Sequence, residues 1–406
     1  MIEIYKNRRV IVVDSIMGSG KTENAIEEMN NSSSEQLFLY ITPSLNEVDR
    51  IVRACPNKNF YNPQKGVYPV KEAAFIDAIK DKRNIATTHC LFCLFTLSPA
   101  VEAAIKDAGY NLIIDETIEM ISLIDVTQKD LSAMFTLEMI AIDETNRVVW
   151  LDKEYLGKYH EYMVEIKKNN IYYFGNTLVK LFSIDKLLCF KEIEILTYLF
   201  SGSPMYLYLT IYGFHFDYFY LHDRKRVKGK SNFLLDKVQI KPLLQLYQGK
   251  LNFEGQKRSF LSSSWYKDKK RCTTTIITQL RNNAYNYLNN HCKARKEDTM
   301  WTVYDAKKDK IAPRSYRTGY IACNARATND HSNCRHLAYL VNIYVNPMLK
   351  TWFSDNGQTL KDDEYALSQM IQWIWRSAIR NGKAIDLYIP SNRMRELLMN
   401  WLNDSE

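Results

Sequence analysis

The chain has 406 residues, 46% of them hydrophobic and 25% charged, with a net charge of +8. That length exceeds what one core usually spans and points to two domains, and the composition is ordinary for a soluble globular protein, with little to suggest extended disorder. No apolar run reaches membrane-spanning length and the first residues lack a secretory pattern, so the protein is expected in the cytoplasm with no membrane partner.

The first element is the β-branched run Arg9-Val10-Ile11-Val12-Val13-Asp14, which reads as a buried parallel strand. It runs into Ser15-Ile16-Met17-Gly18-Ser19-Gly20-Lys21-Thr22, and Glu23 to Met29 then reads as a helix. This is a phosphate-binding loop in its expected setting, with Ser15 where the pattern G-x-x-x-x-G-K-[ST] starts with glycine. Backbone N–H groups around Gly18, Ser19 and Gly20 can turn towards a polyphosphate at the positive end of the helix dipole. Lys21 can reach the β- and γ-phosphates, and Thr22 can hold Mg²⁺.

Leu37 to Ile41 is a second buried-strand run that ends in Thr42-Pro43-Ser44, and Leu45 to Val52 resumes helical spacing. Strand, loop and helix alternate again from Asn84 to Phe95, where Ile85-Ala86 meets Thr87-Thr88-His89. This rhythm belongs to a doubly wound sheet, whose ligands meet the loops at the carboxyl ends of strands; Thr42 and Thr87 to His89 fall there. Eight cysteines are scattered without a disulfide-like framework. Cys90 and Cys93, beside His89, lack further ligands nearby and read as apolar core cysteines rather than a zinc site.

Asn111-Leu112-Ile113-Ile114-Asp115-Glu116-Thr117 is an apolar strand ending in two acids. Asp115 is placed to position Mg²⁺, and Glu116 to orient or deprotonate an attacking water. Ile142-Asp143-Glu144-Thr145 repeats the letters, but it follows a charge-mixed, helix-like run and precedes a turn at Asn146. From Ile118 to about Thr197 the pattern reads mainly as amphipathic helix, a helical elaboration of the first domain. Tyr198-Leu199-Phe200 then leads to a strand end at Ser201-Gly202-Ser203-Pro204.

The charge divides here. Residues 1–204 carry 22 Lys and Arg against 28 Asp and Glu, whereas residues 205–406 carry 32 against 18. The basic clusters at Arg224 to Arg226, Lys267 to Arg271, Lys293 to Lys296 and Lys307 to Lys310 lie among Tyr and Trp, a mixture that tracks a nucleic-acid backbone and stacks on bases. In this half Tyr206 to Tyr212 reads as β, Phe260 to Trp265 as a strand with its exit loop, Cys272 to Leu288 as a helix and Asn289 to Lys310 as surface. Tyr320 to Cys323 runs into the polar loop Asn324-Ala325-Arg326-Ala327-Thr328-Asn329. On a helix over Ala366 to Arg380, Gln372, Arg376 and Arg380 would share one stripe, an arrangement suited to a terminal phosphate. Ile385 to Pro390 reads as a last strand and Arg393 to Leu402 as a closing helix.

In this order the segments resemble the motif series of superfamily 2 helicases of the DEAD/DEAH-like kind. The Trp-rich last motif is similar to that of helicase-like proteins encoded by bacteriophages and other mobile elements. Ser15 to Thr22 looks like motif I, Tyr40 to Ser44 like motif Ia and Ala86 to His89 like the next nucleic-acid-contacting motif. Ile114 to Thr117 looks like motif II, Ser201 to Pro204 stands in place of motif III, and Asn324 to Asn329 and Gln372 to Arg380 look like motifs V and VI. Trp375 stands where motif VI has glycine and the second arginine falls one residue late, which leaves both Arg376 and Arg380 open as the arginine finger.

The resemblance implies an α/β fold of two RecA-like P-loop NTPase domains in tandem, residues 1–204 and 205–406, with the helical insertion in the first. It implies ATP and Mg²⁺ as cofactors. Ser15, Gly18, Ser19, Gly20, Lys21 and Thr22 would hold the nucleotide, Thr22 and Asp115 the metal, and Lys21, Asp115, Glu116, Gln372, Arg376 and Arg380 would be catalytic. Thr42, Pro43, Thr88, His89, Trp265, Asn324, Arg326, Thr328 and Asn329 would contact a nucleic-acid strand. The implied activity is that of an ATP-dependent DNA helicase or translocase in phage DNA replication, recombination or repair. It would act on single-stranded or forked DNA, with a replication or recombination protein as partner. The alternative is a nucleic-acid-dependent ATPase that remodels protein–DNA complexes or loads a partner without unwinding.

Overall fold

A computed structural model describes residues 8–63, 70–152, 155–168, 170–231, 234–253, 255–325 and 331–403. Two compact units emerge. The first holds residues up to Ser15, Gly20–Lys230 and Asn346–Leu360; the second holds Ile16–Ser19, Ser231–Val345 and the chain from Lys361 on.

The apolar runs of the first unit become strands. These are β1 (Arg9–Asp14), β2 (Phe38–Thr42), β3 (Ile85–Thr88) and β4 (Asn111–Asp115), followed by β5 (Ile121–Leu123), β6 (Ile140–Ile142), β7 (Val148–Trp150), β8 (Asn170–Phe174), β9 (Thr177–Leu181), β10 (Glu192–Thr197), β11 (His215–His222) and β12 (Lys225–Lys228). One seven-stranded sheet takes the order β12-β11-β1-β10-β4-β2-β3. Every neighbouring pair in it is parallel except β11 with β12. The strand before the phosphate loop and the strand ending in Asp115 are therefore not neighbours; β10 lies between them. On one face, Ala25 and Met29 of the helix α1 (Lys21–Asn31) and Val48 and Ile51 of α2 (Leu45–Ala54) pack with Val13, Phe38 and Tyr40.

Between β4 and β10 the chain is a mixed α/β insertion rather than a helical one. It contains the antiparallel sheet β5-β9-β8, the hairpin β6–β7 and three helices, Gln128–Thr136, His160–Lys168 and Asp185–Leu188. Leu131, Met134, Ile140, Trp150 and Ile166 give it a core of its own. The segment ends earlier than its pattern implies, because Glu192–Thr197 is the central strand β10.

The division expected at Pro204 falls inside the first unit, which runs to Lys230 because β11 pairs with β1. Pro204–Ile211 is a helix, not a strand: the Ser203 hydroxyl accepts from the Tyr206 N–H at 3.1 Å, and Pro204 occupies the first helical turn. The chain returns to this unit as the helix Pro347–Asp355, whose Trp352 stacks on Tyr208 with ring centroids 5.8 Å apart.

The second unit is built on four parallel strands, β13 (Leu244–Leu246), β14 (Thr299–Thr302), β15 (His336–Tyr339) and β16 (Ile385–Tyr388), in the order β13-β16-β15-β14. The helix Thr274–Asn286 and the closing helix Asn392–Asn403 match expectation. Two expectations do not hold: Phe260 to Trp265 enters a short helix, Ser263–Lys267, and the stretch read as surface contains the buried strand β14.

Candidate functional site

The phosphate loop leaves β1 at Asp14, and the sheet fixes its base. The Ser15 N–H donates to the Thr197 carbonyl of β10 at 3.0 Å, and the Ser15 hydroxyl accepts from the Leu221 N–H of β11 at 2.7 Å. Serine at the position usually held by glycine thus ties the loop to both neighbouring strands. Gly18 and Gly20 have φ of 82° and 93°, left-handed values that favour glycine. Gly20 is the N-cap of α1 and supplies no side-chain acceptor, which leaves the first N–H groups of this 11-residue helix for an anion. The Ser19 hydroxyl oxygen is buried without a hydrogen-bond partner. The Lys21 ammonium donates to the Ser15 carbonyl, folded back over its own loop.

Asp115 meets this loop. The Thr22 hydroxyl donates to its Oδ2 at 3.0 Å and the Tyr40 hydroxyl donates to the same atom at 2.7 Å. Burial pushes the Asp115 carboxyl up to about 6; Glu116 adds to the rise, while the Tyr40 and Thr22 hydrogen bonds and Lys21 oppose it. The Tyr40 hydroxyl is fully buried, and desolvation with the neighbouring Asp115 charge drives its own ionisation well upward. Tyr40 is thus held as a neutral donor. A hydroxyl and a carboxylate converging beside a lysine form an oxygen donor set that fits Mg²⁺.

The next residue is strained. Glu116 has φ 66° in the left-handed region, and its N–H donates to the Leu196 carbonyl of β10 at 2.9 Å. Consecutive β10 carbonyls, Leu196 and Thr197, therefore hold the Asp-Glu turn on one edge and the loop base on the other. Asp14, 7% exposed, accepts from the Leu199 and Phe200 N–H groups at 2.8 and 3.0 Å and so fixes the turn before Ser201 to Pro204. Asp14 and Tyr40 went unread as site residues. The available signal was a polar group at the end of, or within, an otherwise apolar strand.

Other expected residues fall differently. His89 places Nε2 2.8 Å from the Asp115 carbonyl oxygen, so its ring is directed at the Asp-Glu turn. Thr88 caps the helix His89–Leu94, Thr42 is buried at the end of β2 and Pro43 is half-buried. Asp143 of the repeated Asp-Glu lies in the β6–β7 turn, accepting from the Thr145 and Arg147 N–H groups, which explains its presence without chemistry. Trp265 is 4% exposed, packed edge-on against Phe260 and Tyr266, and offers no face to a base. Arg226 of the first basic cluster is taken up by Glu194 and Glu28, each at 2.6 Å.

Gln372, Arg376 and Arg380 do not form a helical stripe. The helix Asp362–Ile374 stops before Arg376, and Arg380 sits in the following 3₁₀ turn, Ala378–Asn381. Arg376 is buried, donating to the Gln372 carbonyl at 3.3 Å and to the Ala325 carbonyl; Arg380 is exposed. Asn324 is exposed beside that loop, and Arg326, Thr328 and Asn329 lie outside the described residues. Among the described residues no helix is long and apolar enough to cross a membrane.

Residues 238–402 match the family described as the YonV C-terminal Rossmann-like domain. Over 98% of its length the chain is 35% identical to the SPbeta prophage-derived protein YonV of Bacillus subtilis (strain 168), covering 99% of that protein. Among solved structures, Xpd4 of S. tokodaii aligns over 98% of this chain and 94% of its own, at 10% identity and a TM-score of 0.48. The DUF1998 helicase MrfA, solved bound to DNA and AMPPNP, aligns over 98% of this chain and 49% of its own, at 11% identity and a TM-score of 0.40. Neither structural likeness is close enough to bear on chemistry.

Proposed function

We propose that this chain, which belongs to the YonV family, is an ATP-dependent motor of the helicase kind that moves along a DNA strand. The observation that carries the reading is the Thr22–Asp115 contact of 3.0 Å, which brings the end of the phosphate loop to the acid of a strand 93 residues away. The parallel sheets of the two units, with the Asp115 turn and the phosphate loop at carboxyl ends, support RecA-like domains in tandem.

In this reading Lys21 exchanges its contact with the Ser15 carbonyl for the β- and γ-phosphates of ATP, while the glycine-bounded loop and the Ser19 hydroxyl cradle them. Thr22 and Asp115 would hold Mg²⁺, which neutralises charge on the transferred phosphoryl group. Glu116, fixed by β10, orients the attacking water and takes its proton. Arg380 is the finger, because Arg376 is committed to the Ala325 loop, and Gln372 assists from the end of its helix. Pro43, Thr88 and Asn324, with Arg326, Thr328 and Asn329, contact the strand, Thr42 being buried beneath them, and His89 transmits its presence to Asp115. The excess of 32 basic over 18 acidic residues in positions 205–406 favours a nucleic-acid track.

Strand displacement on labelled tailed DNA duplexes tests the reading. Separation that requires ATP and is lost in Asp115→Asn is expected. No displacement on any tailed duplex by a protein that does hydrolyse ATP would replace unwinding with the remodelling of protein–DNA complexes.

A further inference from the structure

The second unit carries a cluster that the nucleotide chemistry does not use. The side chains of Cys292, His336 and Asp386 each bring one donor atom within 4.8 Å of the other two. Three separate pieces of chain are needed to assemble it. His336 opens β15 and Asp386 is its register partner on β16, so the two project side by side from adjacent parallel strands. His336 Nδ1 lies 2.8 Å from Asp386 Oδ2. Cys292 comes from outside the sheet, just beyond the end of the helix Thr274–Asn286.

The helix does not end in an ordinary way. Its last turn widens into a π-turn over Tyr287–His291, closed by the Cys292 N–H donating to the Tyr287 carbonyl at 2.9 Å. Such turns cost regular hydrogen bonding and recur where a side chain must be re-aimed. Here the widened turn carries Cys292 to the strand ends. Its surroundings are ordered: Tyr287, 1% exposed, sets its hydroxyl beside Cys292 and stacks on Tyr388 and on His291, which Tyr247 meets edge-on at 5.0 Å.

We infer that Cys292, His336 and Asp386 form a binding site for a borderline-soft divalent transition metal, Zn²⁺ in a reducing cell, with water completing a tetrahedron. A thiolate, an imidazole and a carboxylate together suit zinc, whereas Mg²⁺ and Ca²⁺ prefer oxygen alone. Metal–ligand distances of about 2.0–2.3 Å put tetrahedral donors roughly 3.5 Å apart, so Cys292 closes by about an ångström while the His336–Asp386 pair opens by roughly half of one. The His336 and Asp386 side chains are 19% and 32% exposed, which leaves an entry path and room for the water. The metal would pin the helix end to β15 and β16. The site lies at the amino end of β15, whereas nucleotide chemistry in parallel sheets uses carboxyl ends.

The test uses the full-length protein stripped of metal. Calorimetric titration with Zn²⁺ is expected to show one tight equivalent, and Co²⁺ added in its place to give a near-ultraviolet thiolate-to-cobalt band. Cys292→Ser is expected to abolish the band, and both Cys292→Ser and His336→Gln to weaken Zn²⁺ by at least about 100-fold, the upper range seen even for outer-shell partners. Lys21→Ala should bind Zn²⁺ as the wild type does, which separates this site from the phosphate loop. Absence of the cobalt band in the wild type overturns the inference whatever the variants do, and so does unweakened Zn²⁺ binding in either ligand variant.

Discussion

The Thr22 hydroxyl donates to Asp115 Oδ2 at 3.0 Å, and Tyr40 donates to the same oxygen. One carboxylate oxygen thus collects two hydroxyls, one from the first turn of α1 and one from within β2. Thr22→Ala removes one donor without touching Lys21 or the loop glycines. Turnover is expected to fall by on the order of 10²–10³, the scale of losing one preorganised polar group, with the fold intact. Steady-state hydrolysis beside a thermal melt checks it.

Asp115 also makes the site sensitive to pH. Its carboxyl, pushed up to about 6 by burial, is protonated below that value and cannot then hold a cation. Mg²⁺-dependent nucleotide binding should weaken as pH falls through about 6, and fluorescence titration of a labelled nucleotide would follow it. The same shift has the opposite sign for stability. A group whose folded value lies above its unfolded one contributes stability below the unfolded value, near 3.8, and loses it as pH rises through about 6. At pH 8 Asp115→Asn is therefore expected to raise the unfolding free energy of the nucleotide-free protein by up to about 2–3 kcal/mol. The gain should vanish near pH 4, and denaturant melts at the two pH values test it.

Much of the first unit was legible because its central strands are unbroken apolar runs. β1, β2 and β4 announce themselves, as do the loop glycines and the acids that end β4. β10 did not, since Glu-Ile-Glu-Ile-Leu-Thr carries charge at alternate positions. Glu194 is tolerated there because Arg226, distant in sequence, meets it at 2.6 Å, a pairing no local pattern reveals. The Pro204–Ile211 helix was misread for the opposite reason: its apolar and aromatic alternation mimics a strand, and the Ser-Pro cap was the stronger signal. The arginine stripe failed because the helix ends after Ile374, which nothing in the spacing requires.

Arg226 supplies a prediction about stability. Its guanidinium meets Glu194, Glu28 and Asn24, and the Glu194 side chain on the sheet face is only 12% exposed. Arg226→Ala strands that carboxylate and should cost about 3–5 kcal/mol, most of it recovered by adding Glu194→Gln. A denaturant series on the single and double variants measures both.

The two arginines should separate by readout. Arg376→Ala removes the buried guanidinium's bonds to two partly buried carbonyls and is expected to lose about 1–3 kcal/mol of stability. Arg380→Ala should leave stability within about 0.5 kcal/mol of the wild type while turnover falls by about 10³ or more, as for loss of an arginine finger. Loss of stability in Arg380→Ala with turnover preserved would exchange their roles.

His89 reaches from the end of β3 to the Asp115 carbonyl. His89→Ala should leave unstimulated hydrolysis nearly unchanged and reduce stimulation by a polymer about 2- to 30-fold, the scale of a coupling worth 0.5–2 kcal/mol. Equal loss of both rates would make it a structural support of the Asp-Glu turn instead.

The most direct measurement is steady-state ATP hydrolysis with no polymer, with single-stranded DNA, with single-stranded RNA and with duplex DNA, each beside Lys21→Ala. Strong stimulation by single-stranded DNA that disappears in Lys21→Ala is the expected result. Hydrolysis indifferent to every polymer, or equal in Lys21→Ala, would contradict a DNA-tracking motor built on this phosphate loop.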